Sequence, residues 1–212
     1  MIAARIGSDH FLVWRLTLTH ATRLLPPTAR PLISDGQAWL LFAIAELEKV
    51  RVSGVPVPGR RRVAAWLIPC HTTSGGLGNF FLQAMSTDPL VVLAYRVLGM
   101  REVRHAPLQV SPRSICAPGV RATLGATCDV PELAWFALDR CGLIARPSNR
   151  PPDRHPSIAR LPLVKRSWHW QPRMMTVEAP FAASLGAEPV AAIDCSYDVA
   201  LWGAPYGFHR CG

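Results

Sequence analysis

The sequence predicts an α+β fold of the ferredoxin-like (RRM-like) class: a β-α-β-β-α-β core with a long inserted thumb and a strand-rich C-terminal tail. Three observations carry that prediction. Residues 11–19 alternate apolar and polar side chains with a period of two, as a half-buried strand does. Leu40, Ala43, Ile44 and Leu47 recur at helical spacing behind Ser34-Asp35-Gly36-Gln37, which reads as a capping box, so a helix is expected over 36–49. Asp129 with Glu132 three residues on, and Pro131 in a first helical turn, predict a second helix near 131–141. The 212 residues, half of them apolar, suffice for one core. The 20 prolines and 15 glycines call for short elements joined by many turns. A single domain spanning 1–212 follows, with the thumb at about 71–119.

Taken in order, the first strand should bury Leu12, Trp14, Leu16 and Leu18 on one face and leave Arg15 on the other. A proline-bearing link, Leu25 to Pro31, leads to the first helix, which Gly54, Pro56, Pro58 and Gly59 close. Val63 to Ile68 reads as a buried strand. The thumb opens on a Gly/Ser/Thr-rich stretch and carries a short helix over 88–98, with Asp88 as N-cap and Pro89 at N1. It continues into a basic segment holding Arg101, Arg104, His105 and Arg113. Val120 to Ala126 is a third strand, the second helix follows, and 147–157 has the composition of an exposed loop. Leu161 to Trp170, Met174 to Ala179 and Val190 to Asp194 form the strand-rich tail.

The longest apolar run, Ala38 to Ala45, falls far short of the ~20 residues of a membrane-spanning helix. With no secretory signal read at Met1–His10, a cytoplasmic chain without membrane contact is expected. The six cysteines contain no CxxC pair and read as small hydrophobes rather than disulfides. Cys70-His71 with His209 and Cys211 fits a zinc knuckle poorly, and neither metal nor cofactor is called for. Gly75-Gly76-Leu77-Gly78 lacks the Lys-Ser/Thr of a P-loop, and no GxSxG or HExxH occurs, so no catalytic residue is assigned. His20, His71, His105, Tyr206 and His209 are candidates for acid–base work by residue type alone.

Charge points toward a polyanion. Lys+Arg 23 against Asp+Glu 14 gives a net +9, and all but Lys49 and Lys165 of the basic residues are arginine. Arginine suits bidentate phosphate contacts and stacking on bases, although a GC-rich genome would also favour it over lysine. Arg60-Arg61-Arg62 lies between a turn and a strand, where guanidinium groups would emerge at a sheet edge to meet phosphate or merely solvent. Arg166, Trp168 and Trp170 would share one strand face, which suits unpaired bases or a core. Arg15, Arg101, Arg104, His105, Arg113 and Arg146 complete the candidate RNA-binding set.

The opening strand, then Arg30-Pro31-Leu32-Ile33-Ser34-Asp35-Gly36 running into Trp39-Leu40-Leu41-Phe42-Ala43, resembles the RAMP proteins of CRISPR systems. It is most similar to the small subunit of type IV effector complexes, related to the subunit that caps the crRNA 5′ handle. Val55-Pro56-Val57-Pro58 and the stretch from Thr127-Cys128-Asp129 to Arg146 resemble later blocks of that family. The family's glycine-rich loop after the second helix is replaced here by Pro147 to Pro152. The resemblance implies a non-catalytic subunit that grips crRNA, bridges other subunits of a multi-subunit effector complex and comes near target DNA. The alternatives are a metal-independent crRNA-processing endoribonuclease of the same superfamily, or an unrelated basic globular enzyme or scaffold.

Overall fold

Strands dominate the computed structural model, which describes residues 2–52, 55–56, 58–72, 76–97, 102–137, 141–146, 157–161, 163–166, 169–196, 199–202 and 206–209. Side chains are described for 8–48, 50, 55–56, 58–72, 76–93, 95–96, 102–137 and 169–196. The centre is three long antiparallel strands: β1 (Ile2–Leu16), β3 (Ala38–Val52) and β5 (Arg61–Thr72). Between the first two lie the helix α1 (Leu18–Leu24) and the short β2 (Ala29–Pro31). Between β3 and β5 the short β4 (Val55–Pro56) pairs back on β3, and after β5 comes β6 (Leu77–Ser86), antiparallel to β5. After α2 (Pro89–Val97), the chain makes β7 (Val103–His105), β8 (Gln109–Ser111), β9 (Ser114–Ala117) and β10 (Val120–Thr127). A 3-10 helix, Pro131–Ala137, leads to β11 (Cys141–Arg146), β12 (Ser157–Leu161) and β13 (Leu163–Arg166). The chain closes with β14 (His169–Glu178), α3 (Pro180–Ser184), β15 (Glu188–Ser196), β16 (Val199–Trp202) and β17 (Tyr206–His209).

Pairing runs β9–β10–β14–β15–β1–β3–β5–β6, and β6 takes β7 and β11 as parallel partners. The sheet curls into a half-barrel. This is not a ferredoxin-like core. The segment read as an inserted thumb supplies sheet strands instead: β6 pairs with β5 from Val63 to His71, and β9 pairs with β10.

The expected helix over 36–49 is strand β3, and the reason is burial on both faces. Trp39, Leu41, Ala45 and Leu47 join one core, with Phe11, Val13, Val63, Ala65 and Leu67. Leu40, Phe42 and Ile44 join the other, with Leu12, Trp14, Leu16, Ala64, Trp66 and Ile68. A strand covered on both sides is apolar at nearly every position, so a helical repeat can be picked out of it by chance. Ser34-Asp35-Gly36-Gln37 is a hairpin turn rather than a cap. Ser34 bridges Gln37, and Asp35 and Gly36 both have positive φ (52° and 74°), the Asp-Gly signature of a type I′ turn.

Other expectations shift by less. The first strand stops at Leu16, because the Thr17 side chain caps α1 by accepting from the His20 N–H. Leu12, Trp14 and Leu16 are buried, but Leu18 sits on α1 and is exposed. The helix behind Asp88 forms as α2, with Asp88 Oδ1 accepting from the Leu90 N–H at 2.7 Å. The second predicted helix shortens to the 3-10 turn.

The two cores cover the two faces of the sheet. The first is roofed by α2 through Val91, Val92 and Tyr95, and by the 3-10 helix through Leu133, Trp135 and Phe136. The second gathers β1, β3 and β5 together with Leu108, Ile115, Val120, Ala122 and Leu124 from the far strands, which places it on the concave side. At its centre Trp66 meets Trp14, Phe42 and Phe181 at ring-centroid distances of 5.2, 5.0 and 5.0 Å.

Candidate active site

The concave face changes character along its strands. Across β15, β1, β3 and β5, Ala192 pairs with Leu12, Leu12 with Phe42 and Phe42 with Trp66, a wholly apolar row. One step of two residues along β1, Asp194 pairs with His10, His10 with Ile44 and Ile44 with Ala64. A further step brings Ser8 opposite Glu46 and Glu46 opposite Arg62. Because side chains alternate strictly along a strand, these polar residues continue the surface that holds the core. They line a cavity of about 340 Å³, together with Arg173 from β14 and Val110, Ser111 and Pro112 at the β8–β9 turn.

Its polar groups form a triad, His10–Asp194–Arg173, and a second group made by Glu46 and Arg62. His10 donates from Nδ1 to Asp194 Oδ1 at 2.7 Å, and Arg173 donates from NH1 to Asp194 Oδ2 at 2.9 Å. Nε2 of His10 makes no hydrogen bond among the described residues. A neutral imidazole with its proton fixed on Nδ1 presents a basic lone pair at Nε2. Burial pushes the Asp194 carboxyl up, but the hydrogen bonds from His10 and Arg173 and their charges outweigh it and hold it below the ordinary 3.8. The second pair is Glu46 with Arg62, at 3.2 Å, and Arg60 reaches the other Glu46 oxygen at 3.3 Å from an exposed position. Arg62 also donates to the Leu108 carbonyl at 3.3 Å.

The residues singled out from sequence scatter. Within Arg60-Arg61-Arg62, Arg61 is buried, ion-paired with Asp88, and donates to the carbonyls of Gly59 and Pro58. Of the three, only Arg62 reaches the cavity. Arg15 bonds Glu132 at 2.5 Å beside a separate cavity of about 380 Å³ at the strand ends. Arg104, His105 and Arg113 are exposed, with His105 Nε2 at 3.2 Å from the Thr87 carbonyl. Arg146 and Arg166 end β11 and β13, and their side chains lie outside the described residues, as do Arg101 and Trp168 altogether. Trp170, half-buried, packs on Phe136 with 5.8 Å between ring centroids. His20 bonds Thr17 Oγ1, His71 is exposed, and the side chains of Tyr206 and His209 lie outside the described residues. Among the described residues no group of His, Cys, Asp and Glu is placed to hold a metal. Cys116 and Cys128 are free thiols, and Cys70 and Cys195 are buried in the two cores. No helix among the described residues is long and apolar enough to cross a membrane.

His10, Glu46, Arg173 and Asp194 escape the sequence reading. The signal for His10 was available: it continues the even-numbered face of Leu12, Trp14 and Leu16, so a strand assignment extended two residues back places it on the core side. The partners belong to strands distant in sequence, and only the sheet topology unites them.

No family model matches this sequence, and no curated protein matches it. Solved structures do match its fold. An acetoacetate decarboxylase from Legionella pneumophila superposes with a TM-score of 0.69 at 13% identity, covering 100% of this chain and 89% of that one. An acetoacetate decarboxylase-like enzyme from Sphingomonas wittichii RW1 gives 0.65 at 13% identity, covering 99% and 93%. The enduracididine biosynthesis enzyme MppR, complexed with the condensation product of pyruvate and imidazole 4-carboxaldehyde, gives 0.66 at 14%, covering 97% and 88%. The fold is therefore that of the acetoacetate decarboxylase-like proteins.

That finding overturns the resemblance to CRISPR RAMP proteins, and with it the RNA-gripping function and the crRNA, effector-subunit and DNA partners. The physical reason lies in the matched segments themselves. The Asp35-Gly36 stretch taken as a helix opening is a hairpin turn, and Trp39 to Ala43 is a strand buried on both faces.

Proposed function

We propose that the protein is an enzyme that moves a proton at the carbon beside the carbonyl of a small oxo acid. The observation that carries this reading is the His10–Asp194 pair, set in the polar cavity of a half-barrel whose fold neighbours include acetoacetate decarboxylases and a pyruvate-complexed enzyme. Asp194 fixes the imidazole tautomer and supports the imidazolium once it forms. Nε2 of His10 takes the proton from the α-carbon, and the C–H electron pair becomes the enolate double bond as negative charge moves to the carbonyl oxygen. Return of the proton, or attack of the enolate carbon on an electrophile, completes the turnover. Arginines in the wall offset the charge of the acid and of the enolate.

An amine route through a Schiff base needs a lysine activated by desolvation or by a neighbouring cation. The two lysines, Lys49 on β3 and Lys165 on β13, have side chains outside the described residues, so the reading rests on His10. Incubating the protein with pyruvate and with acetoacetate in D2O, and following loss of the α-proton signals by NMR, tests it. Exchange faster than in buffer supports the reading; buffer-rate exchange with both acids overturns it.

A further inference from the structure

The cavity holds two arginines that the sheet employs differently. Arg173 is almost fully used by the protein. Its Nε donates to the Gly125 carbonyl at 3.0 Å, NH1 to the Pro112 carbonyl at 2.8 Å and to Asp194 Oδ2 at 2.9 Å, and NH2 to the Leu124 carbonyl at 3.4 Å. A guanidinium carries five N–H groups, so one remains. Its side chain is only 17% exposed. Arg62 spends less: NH1 donates once, to the Leu108 carbonyl, NH2 donates once, to Glu46, and the buried Nε has no partner. Each terminal nitrogen keeps one unused N–H, and the side chain is 36% exposed.

We infer a division of labour in which Arg62 is the anion-recognising residue of the cavity and Arg173 is a positioning residue. Arg173 clamps the β8–β9 turn and β10 onto β14 while it sets the Asp194 carboxylate against His10. The inference rests on the proposed oxo-acid reading for the identity of the anion, but not for the role of Arg173. The geometry separates the two roles. A planar fork engaged by three carbonyls and a carboxylate cannot turn to a ligand without releasing the wall of the cavity. One with two free in-plane N–H groups matches a carboxylate bidentately. Arg62 cannot orient Asp194, because its own carboxylate partner is Glu46.

Four charged groups surround His10 in the cavity: Asp194 on β15, Arg173 on β14, Glu46 on β3 and Arg62 on β5. Lysine at 173 keeps the charge but loses the fork, and this separates positioning from mere electrostatics. The test is pyruvate titration and the His10 Nδ1–H resonance by proton NMR on the wild type, Arg62→Lys, Arg62→Met and Arg173→Lys, with near-UV circular dichroism as the check that each variant is folded. The expected result for Arg62→Met is pyruvate binding weakened at least tenfold, with partial recovery in Arg62→Lys. Arg173→Lys should change pyruvate affinity by less than threefold while broadening the His10 Nδ1–H resonance through faster exchange with water, because Asp194 is no longer held against the ring. An Arg173→Lys variant with a wild-type Nδ1–H resonance would overturn the division, as would Arg62→Met with wild-type affinity. If Arg173→Lys fails to fold, Pro112→Gly, which loosens the clamped turn, should broaden that resonance instead, and an unchanged resonance counts against the positioning role. Should the wild type bind no pyruvate, the oxo-acid reading fails on its own, and the His10 Nδ1–H resonance still decides the role of Arg173.

Discussion

Asp194 is where the site and the stability of the fold meet. It accepts from His10 and Arg173 and joins β15 to β1 and β14. Burial alone would raise its pKa, yet the two hydrogen bonds and their charges leave it lowered. Folding therefore favours the ionised form. The stabilisation is fully present above the ordinary carboxylate value of 3.8 and is lost as pH falls through the depressed folded value. Asp194→Asn should lower the urea-unfolding free energy at pH 7 by about 1–3 kcal/mol, the worth of hydrogen bonds to a charged group. The gap between variant and wild type should narrow in melts run below pH 4. A gap that stays constant with pH would mean that the carboxylate charge contributes nothing.

The same scale shows why the site was hard to read from sequence. Arg60-Arg61-Arg62 stands out as a run, yet its members separate: one exposed on Glu46, one buried on Asp88, one in the cavity. His10 stands alone in sequence, and its partner Asp194 lies 184 positions away. A charge run advertises itself locally, whereas the His10–Asp194 pair is made by strand pairing.

Among the elements, α2 is tied at its start to β5 by an ion pair. Asp88 caps its first turn through the Leu90 N–H and accepts from the Arg61 guanidinium, which is 9% exposed in the side chain. Asp88→Ala should cost about 3 kcal/mol in urea unfolding, because it takes the carboxylate away from a buried guanidinium as well as removing a cap. The double variant Arg61→Met/Asp88→Ala should recover part of that loss. A cost below 1 kcal/mol for the single variant would show that the pair is solvated.

The 3-10 helix offers the matching test for the outer core. Phe136 is 1% exposed and meets Phe11 edge-on with 4.9 Å between ring centroids. Phe136→Ala should destabilise by about 3–5 kcal/mol, the range for a buried aromatic truncated to alanine. Three elements, α2, β5 and β10, were legible in the sequence, each marked by a cap, a β-branched run or flanking prolines and glycines. It concealed β3, because an apolar run covered on both faces carries no period of its own. The Asp35-Gly36 dipeptide was the local clue that could have settled β3, since that pair favours a hairpin turn over a helix start.

For the whole molecule, one misread element redirected the topology. With β3 read as a helix, β1 and β5 appear as the flanking strands of a β-α-β unit; with β3 as a strand, the three form a continuous antiparallel centre. That centre exposes one face to a roof of α2 and the 3-10 helix and curls the other into a half-barrel closed by β8–β10. In the cavity the two arginines face carboxylates on neighbouring strands, Arg62 with Glu46 and Arg173 with Asp194. Proton transfer by His10 is the role proposed for this cavity. The most direct measurement is the ratio of α-proton exchange rates of pyruvate in D2O between wild type and His10→Gln at neutral pH. General-base catalysis by one side chain contributes about 10²–10⁴-fold, so the ratio should reach at least 10². A ratio near one, with the wild type still faster than buffer, would contradict the assignment of His10 as the base.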